Sequence, residues 1–109
     1  MKYLKLFEAG REKEVIRLRK KLNAQKYFFL NNFLGEDLIL KFIDIHSSSA
    51  WFDSLNMKTK EIKIYYILYR DCKYFVDKAY MLKTNAVRNA TKEEIEELEF
   101  YLNTNKYNL

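Results

Sequence analysis

Tyr27-Phe-Phe-Leu-Asn-Asn-Phe-Leu34, then Gly35-Glu-Asp37, then Leu38-Ile-Leu-Lys-Phe-Ile-Asp-Ile45 is the stretch on which the reading of the fold turns. Two runs rich in Phe, Leu and Ile flank a three-residue gap containing Gly, which is the signature of a β-hairpin. The spacing predicts strands over 27–34 and 38–45. Downstream, Ile62, Ile64, Tyr66 and Leu68 alternate with Glu61, Lys63, Tyr65, Ile67 and Tyr69, the period of a half-buried strand. Arg70-Asp71 reads as a turn and Lys73–Leu82 as the next strand, which gives a second hairpin. The intervening His46–Lys60 is too long for a tight turn. It is expected to hold a short helix through Trp51, Phe52 and Leu55, capped by one of Ser47, Ser48 and Ser49. Asn85–Ala90 is expected to be a loop.

Helices close both ends. In Arg11–Gln25, Val15, Leu18 and Leu22 recur at i, i+3 and i+7, with Ile16 beside them. Gly10 breaks the chain between this helix and the residues before it, or the helix starts earlier, at Tyr3. At the other end, Thr91-Lys-Glu-Glu94 is a capping box in which Thr91 and Glu94 satisfy each other's backbone amides. Ile95, Leu98 and Leu102 then share one face. The order is α-β-β-(α)-β-β-α. Strands grouped between helices, without β-α alternation, imply an α+β class. The expected architecture is a single domain over 10–109 with an antiparallel four-stranded sheet and both helices on one of its faces.

Composition narrows the function. The chain has 109 residues, 49% of them hydrophobic and 17% aromatic, enough for an independent core and unlike a disordered segment. It contains one Cys and one His, so neither an intrachain disulfide nor a Cys/His zinc site can form within it. Cys72, beside the predicted turn, is expected to be an exposed bystander thiol with its pKa lowered slightly by Arg70 and Lys73. The longest apolar runs, Ile64–Tyr69 and Tyr27–Leu30, are too short to span a bilayer. No phosphate-binding loop, dinucleotide fingerprint or zinc-protease helix is present. His46 with Asp44 and the serines reads as a loop boundary rather than a base–nucleophile pair. Asp37, Asp44, Asp53, Asp71 and Asp77 match no known metal-site spacing. The expectation is no enzyme activity, no catalytic or metal-ligating residues and no cofactor.

Charge is laid out unevenly. Residues 1–26 carry a net +6, residues 27–90 a net +2 and residues 91–109 a net −3. Within the first helix, Arg11, Lys13, Arg17, Lys20 and Lys21 form the best candidate surface for a nucleic acid or an acidic partner. A solvated helix face accounts for the same residues. Both faces of the 62–69 strand are apolar or aromatic. Tyr65, Tyr69 and Trp51 are therefore candidates for a protein interface, with another protein or with a second copy in a homodimer.

One short segment carries a resemblance. Leu6-Phe7-Glu8 followed by Ala9, within a peptide that begins Met1-Lys2, resembles the cleavage signal of small internal head proteins of T-even-type bacteriophages. Residues 1–9 would then be a leader, cut after Glu8, or alternatively the start of the first helix. The resemblance implies a small basic accessory protein packaged in the virion head and acting in the host cytoplasm. Its partner would be a host defence or transcription protein that it inhibits or redirects. The basic character suits residence beside packaged DNA. The first reading is therefore a phage or mobile-element accessory protein that binds a host protein. The second is a nucleic-acid-binding protein that uses the basic helix, and the third a small metal-dependent nuclease.

Overall fold

A computed structural model of the chain describes residues 2–31, 36–77 and 86–107. Helix α1 (Lys2–Gln25) leads into β1 (Tyr27–Asn31), β2 (Asp37–His46), β3 (Ser49–Asn56) and β4 (Ile62–Leu68). A 3-10 turn (Tyr69–Asp71) and the one-turn helix α2 (Lys73–Val76) follow, then β5 (Val87–Asn89) and helix α3 (Lys92–Tyr107). The strands form one antiparallel sheet in the order β4-β3-β2-β1-β5. The fold is thus α+β, as the sequence predicts, with five strands in place of four.

The differences have physical reasons. The segment expected to form a capped helix is β3. Ala50, Phe52 and Ser54 are buried on one side of it, Trp51 and Asp53 lie on the other, and the register with β4 is uninterrupted from Ser49 to Leu55. The serine triplet makes a hairpin turn instead of a helix cap, with Ser47 in the left-handed region at φ 55°. Small polar residues hide the alternation: Ser54 is buried, and its hydroxyl donates to the Lys63 carbonyl at 2.8 Å. The strand expected over 73–82 begins as α2, where Cys72 and Phe75, three residues apart, are both buried. Residues 78–82 of that expected strand lie outside the described residues. The expected loop over 85–90 contains β5, whose pairing with β1 runs from Phe28↔Asn89 to Leu30↔Val87.

The two long helices lie on opposite faces of the sheet, not on one. β1 and β2 are apolar on both sides, so each face needs cover. Leu18 and Leu22 of α1 join Phe28, Leu40, Phe42 and Phe52 in the main core, together with Phe75. Phe52 stacks on Phe75 at 5.4 Å, and Phe28 meets both rings edge-on. Across the sheet, Leu98 of α3 is fully buried against Ile39 and Leu55, with Phe29, Ile62 and Tyr101 packed around them. The predicted apolar stripe Val15–Leu18–Leu22 does face the core, whereas Ile16 is 61% exposed. α1 is continuous from Lys2 through Gly10, and Lys26, at φ 62°, ends it by turning the chain into β1.

α3 begins as the sequence predicts. The Thr91 amide donates to Glu94 Oε1 at 2.8 Å, and the Glu94 amide donates to Thr91 Oγ1 at 3.2 Å. Ion pairs then clamp the helix to the sheet. Arg88 of β5 makes a two-pronged contact with Glu94 at 2.8 and 2.9 Å, its guanidinium 3.9 Å from the centre of the Phe29 ring. Lys60 reaches Glu97 at 2.5 Å and Lys41 reaches Glu99 at 2.7 Å. Among the described residues, no helix is long and apolar enough to cross a membrane.

Candidate interaction surface

α3 covers only part of its side of the sheet. It sits over Phe29, Ile39, Leu55 and Ile62. Further along β4 on the same side, Ile64 is 56% exposed, Tyr66 59% and Leu68 42%. The strand period places these residues together on one face. Trp51 of β3 is paired in register with Tyr66, and the two rings lie 5.0 Å apart. Ile43, in the bulge where the β2–β3 register shifts, is also exposed. The result is a bare aromatic and aliphatic row on the outer half of the sheet, Ile64, Tyr66 and Leu68, flanked by the half-buried Trp51.

The three aromatic residues singled out from sequence do not come together. Trp51 flanks this bare row. Tyr65 and Tyr69 point to the opposite face, where they pack against the main core beside Ile67. Burial pushes the Tyr65 phenol above its ordinary pKa. Of the two adjacent tyrosines, Tyr66 is 59% exposed and Tyr65 is partly buried against the main core. The alternation was visible, but which side α1 would cover was not.

The basic residues of α1 lie opposite its buried stripe. Lys13, Arg17, Lys20 and Lys21 are all exposed, while the side chain of Arg11 falls outside the described set. Arg19 is used structurally: its Nε donates to Asp44 Oδ1 at 2.6 Å and its Nη2 to the Ile45 carbonyl at 3.2 Å. Asp44 is held below the usual carboxylate range first by the Ile45 amide and then by Arg19. Arg17 and Lys21 also border an open groove of about 440 Å³ between α1 and the segment after β4. Arg70 adds a third cation there, but Glu14 and Asp77 line the same groove, so its charge is largely balanced.

Several other titratable groups are tied into the packing. Beneath α3, Tyr27 donates to Glu99 at 2.5 Å beside the Lys41 ion pair. Burial raises the Tyr27 phenol, and Glu99 raises it further. For Glu99 itself burial works upward, but Lys41 and Tyr27 outweigh it and hold the carboxyl below its ordinary value. Asp53 is raised by burial, which Lys41 only partly offsets. His46 is exposed, with Nε2 3.9 Å from Asp44. The five aspartates do not converge: among the described residues, no three Asp, Glu, His or Cys side chains are grouped to hold a metal ion. Cys72 departs from expectation. It is fully buried, its thiol donates to the Leu68 carbonyl at 3.6 Å, and burial followed by the charge of Asp71 pushes its pKa up to about 11.

No protein-family model, characterised protein or solved structure matches this chain.

Proposed function

We propose that this is a small phage or mobile-element accessory protein that acts by binding a host protein, through the bare half of the α3 side of the sheet. The observation that carries the binding reading is the contiguous exposure of Ile64, Tyr66 and Leu68 beside Trp51. Aromatic and aliphatic groups gathered at one place on a surface mark protein interfaces more often than catalytic sites. Tyr and Trp supply large rigid contact area at small entropic cost. The net charge of +5 favours a partner with an acidic rim, which would be steered toward this chain before the apolar contact forms.

The phage origin draws on Leu6-Phe7-Glu8-Ala9 alone. Cleavage after Glu8 would shorten α1 but leave Val15, Leu18 and Leu22 on the core. Inhibition or redirection of a defence or transcription protein belongs to the same reading. The second reading, nucleic-acid binding, is favoured by one observation: Lys13, Arg17, Lys20 and Lys21 are exposed on the side of α1 away from the core.

The two readings separate under salt and charge reversal. Tyr66→Lys with Ile64→Lys should abolish capture of the host partner and leave affinity for nucleic acid unchanged or slightly raised. Lys13→Glu with Arg17→Glu should do the reverse under the second reading, with binding that weakens steeply as salt rises. Thermal unfolding of each variant controls for loss of fold.

A further inference from the structure

β4 is an edge strand, and among the described residues its outer side is open. The Glu61 carbonyl accepts from the Asn56 amide at 3.0 Å, and the Tyr69 amide donates to the Ser48 carbonyl at 2.6 Å. Odd-numbered residues therefore turn their backbone groups inward to β3. In an antiparallel ladder the even-numbered ones, Ile62, Ile64, Tyr66 and Leu68, turn theirs outward. Leu68, whose carbonyl already accepts the Cys72 thiol, contributes its N–H. Among the described residues, no strand pairs with this side.

Edge strands normally carry a device against self-association: a proline, a bulge, or inward-pointing or repeated charge. β4 carries only one of these, Lys63, which lies on the same side as the core-packed Tyr65 and Ile67 with its side chain reaching solvent. The chain has no proline, the β3–β4 register runs without a bulge, and the single charged residue within the strand, Lys63, is accompanied by Glu61 at 3.4 Å.

We infer that two copies of this chain associate by antiparallel pairing of β4 with β4 about a two-fold axis at Tyr65. This register alone matches all four outward residues with one another: Ile64 faces Tyr66 of the second copy, and Ile62 faces Leu68. On the other face Lys63 meets Ile67, and Glu61 meets Tyr69, so no like charges oppose each other within the strand, and Lys60 and Arg70 meet only beyond its ends. Shifting by two residues in one direction sets Glu61 against Asp71. The shift in the other direction leaves Leu68 opposite Lys60, which lies outside the strand with φ 62°. The sheet becomes continuous across the axis with ten strands, as befits a self-complementary isologous contact. The side chains of Ile64, Tyr66 and Leu68 stay on the sheet face, so the two bare areas merge into one platform between the two α3 helices. Dimerisation uses the strand edge and stands whether or not a host protein binds that face.

The test is sedimentation equilibrium of the full chain over a wide range of loading concentration. The expected result is a mass rising to twice the 13.3 kDa of the chain. Ile64→Lys with Tyr66→Lys, which places lysines opposite lysines, should return the monomer with an unchanged far-ultraviolet spectrum.

Register is read by cross-linking in a Cys72→Ala background. Residues 63 and 67 of the two copies would form a non-hydrogen-bonded pair with Cα atoms about 4.5 Å apart, within disulfide reach. Lys63→Cys mixed with Ile67→Cys should therefore cross-link on oxidation. Lys63→Cys alone should not, because its two copies would sit about 13 Å apart along the strands. A monomer at every concentration overturns the inference. So does a dimer in which Lys63→Cys links to itself, or in which the mixed pair fails to link.

Discussion

Leu98→Ala tests the two-sided core, because among the described residues Leu98 is the one fully buried residue that α3 contributes to it. Truncation removes three carbon atoms from a site closed by Ile39 and Leu55. The lost transfer free energy is about 2.4 kcal/mol at roughly 0.8 per methylene. The void left behind brings the total to about 3–4 kcal/mol, within the range seen for buried leucines. A chain of this length is stabilised by only about 5–15 kcal/mol in total. The variant should therefore lose a large fraction of its stability and about 15–25 °C in Tm.

Phe100→Ala provides the contrast. Phe100 is larger but 64% exposed on the far side of the same helix, and its loss should change stability by no more than about 0.5 kcal/mol. Urea unfolding followed by Trp51 fluorescence reads both, since Trp51 is the only tryptophan and lies on the α3 side of the sheet. A cost for Phe100→Ala equal to that of Leu98→Ala would show that α3 presents a different face to the sheet.

Three further outcomes follow from the geometry. Glu94→Ala removes both the Arg88 fork and half of the capping box and should cost about 1–2 kcal/mol at neutral pH, a figure reduced for the half-exposed Arg88. Glu94 and Glu99 titrate below the ordinary 4.5, so their stabilisation is complete above that pH and is lost as pH falls through their lower folded values. Asp53, raised above 3.8, acts in the opposite direction, and Asp53→Asn should make the acid side of the stability profile steeper. Cys72, buried with its pKa near 11, should react with a neutral-pH alkylating reagent only as fast as the chain opens; rapid labelling of the folded protein would contradict its placement.

Elements defined by local chemistry were legible in the sequence. The Thr91–Glu94 box, the Val15–Leu18–Leu22 stripe and the alternation of β4 all appear in the structure where the residues put them. What failed was decided by distant contacts. β3 was hidden because Ser49, Ser54 and Asp53 weaken its apolar alternation, and a serine triplet suits a hairpin turn as well as a helix cap. β5 is three residues long with one inward apolar residue, Val87, and exists because β1 offers it a free edge. The opposite placement of α1 and α3 was implied by the doubly apolar β1 and β2, yet hairpins alone do not say which helix takes which face. The same ambiguity separated Tyr65 from Tyr66. Their neighbours in sequence are nearly identical in chemistry, and only the position of α1 buries one and exposes the other. The basic side of α1 was legible because helical spacing fixes it relative to Leu18 and Leu22, although Arg19 proved to be tied to Asp44.

The proposed function rests on the bare sheet face and not on the basic helix. The most direct test is affinity capture from host lysate with nuclease present and at high salt. The native chain would be run beside the Ile64→Lys/Tyr66→Lys variant and the Lys13→Glu/Arg17→Glu variant. A stoichiometric host protein held by the native chain and by the helix variant, and released by the sheet-face variant, is the predicted result. Capture that disappears with nuclease or salt, or that survives the sheet-face changes and fails with the helix changes, would contradict it and move the function to α1.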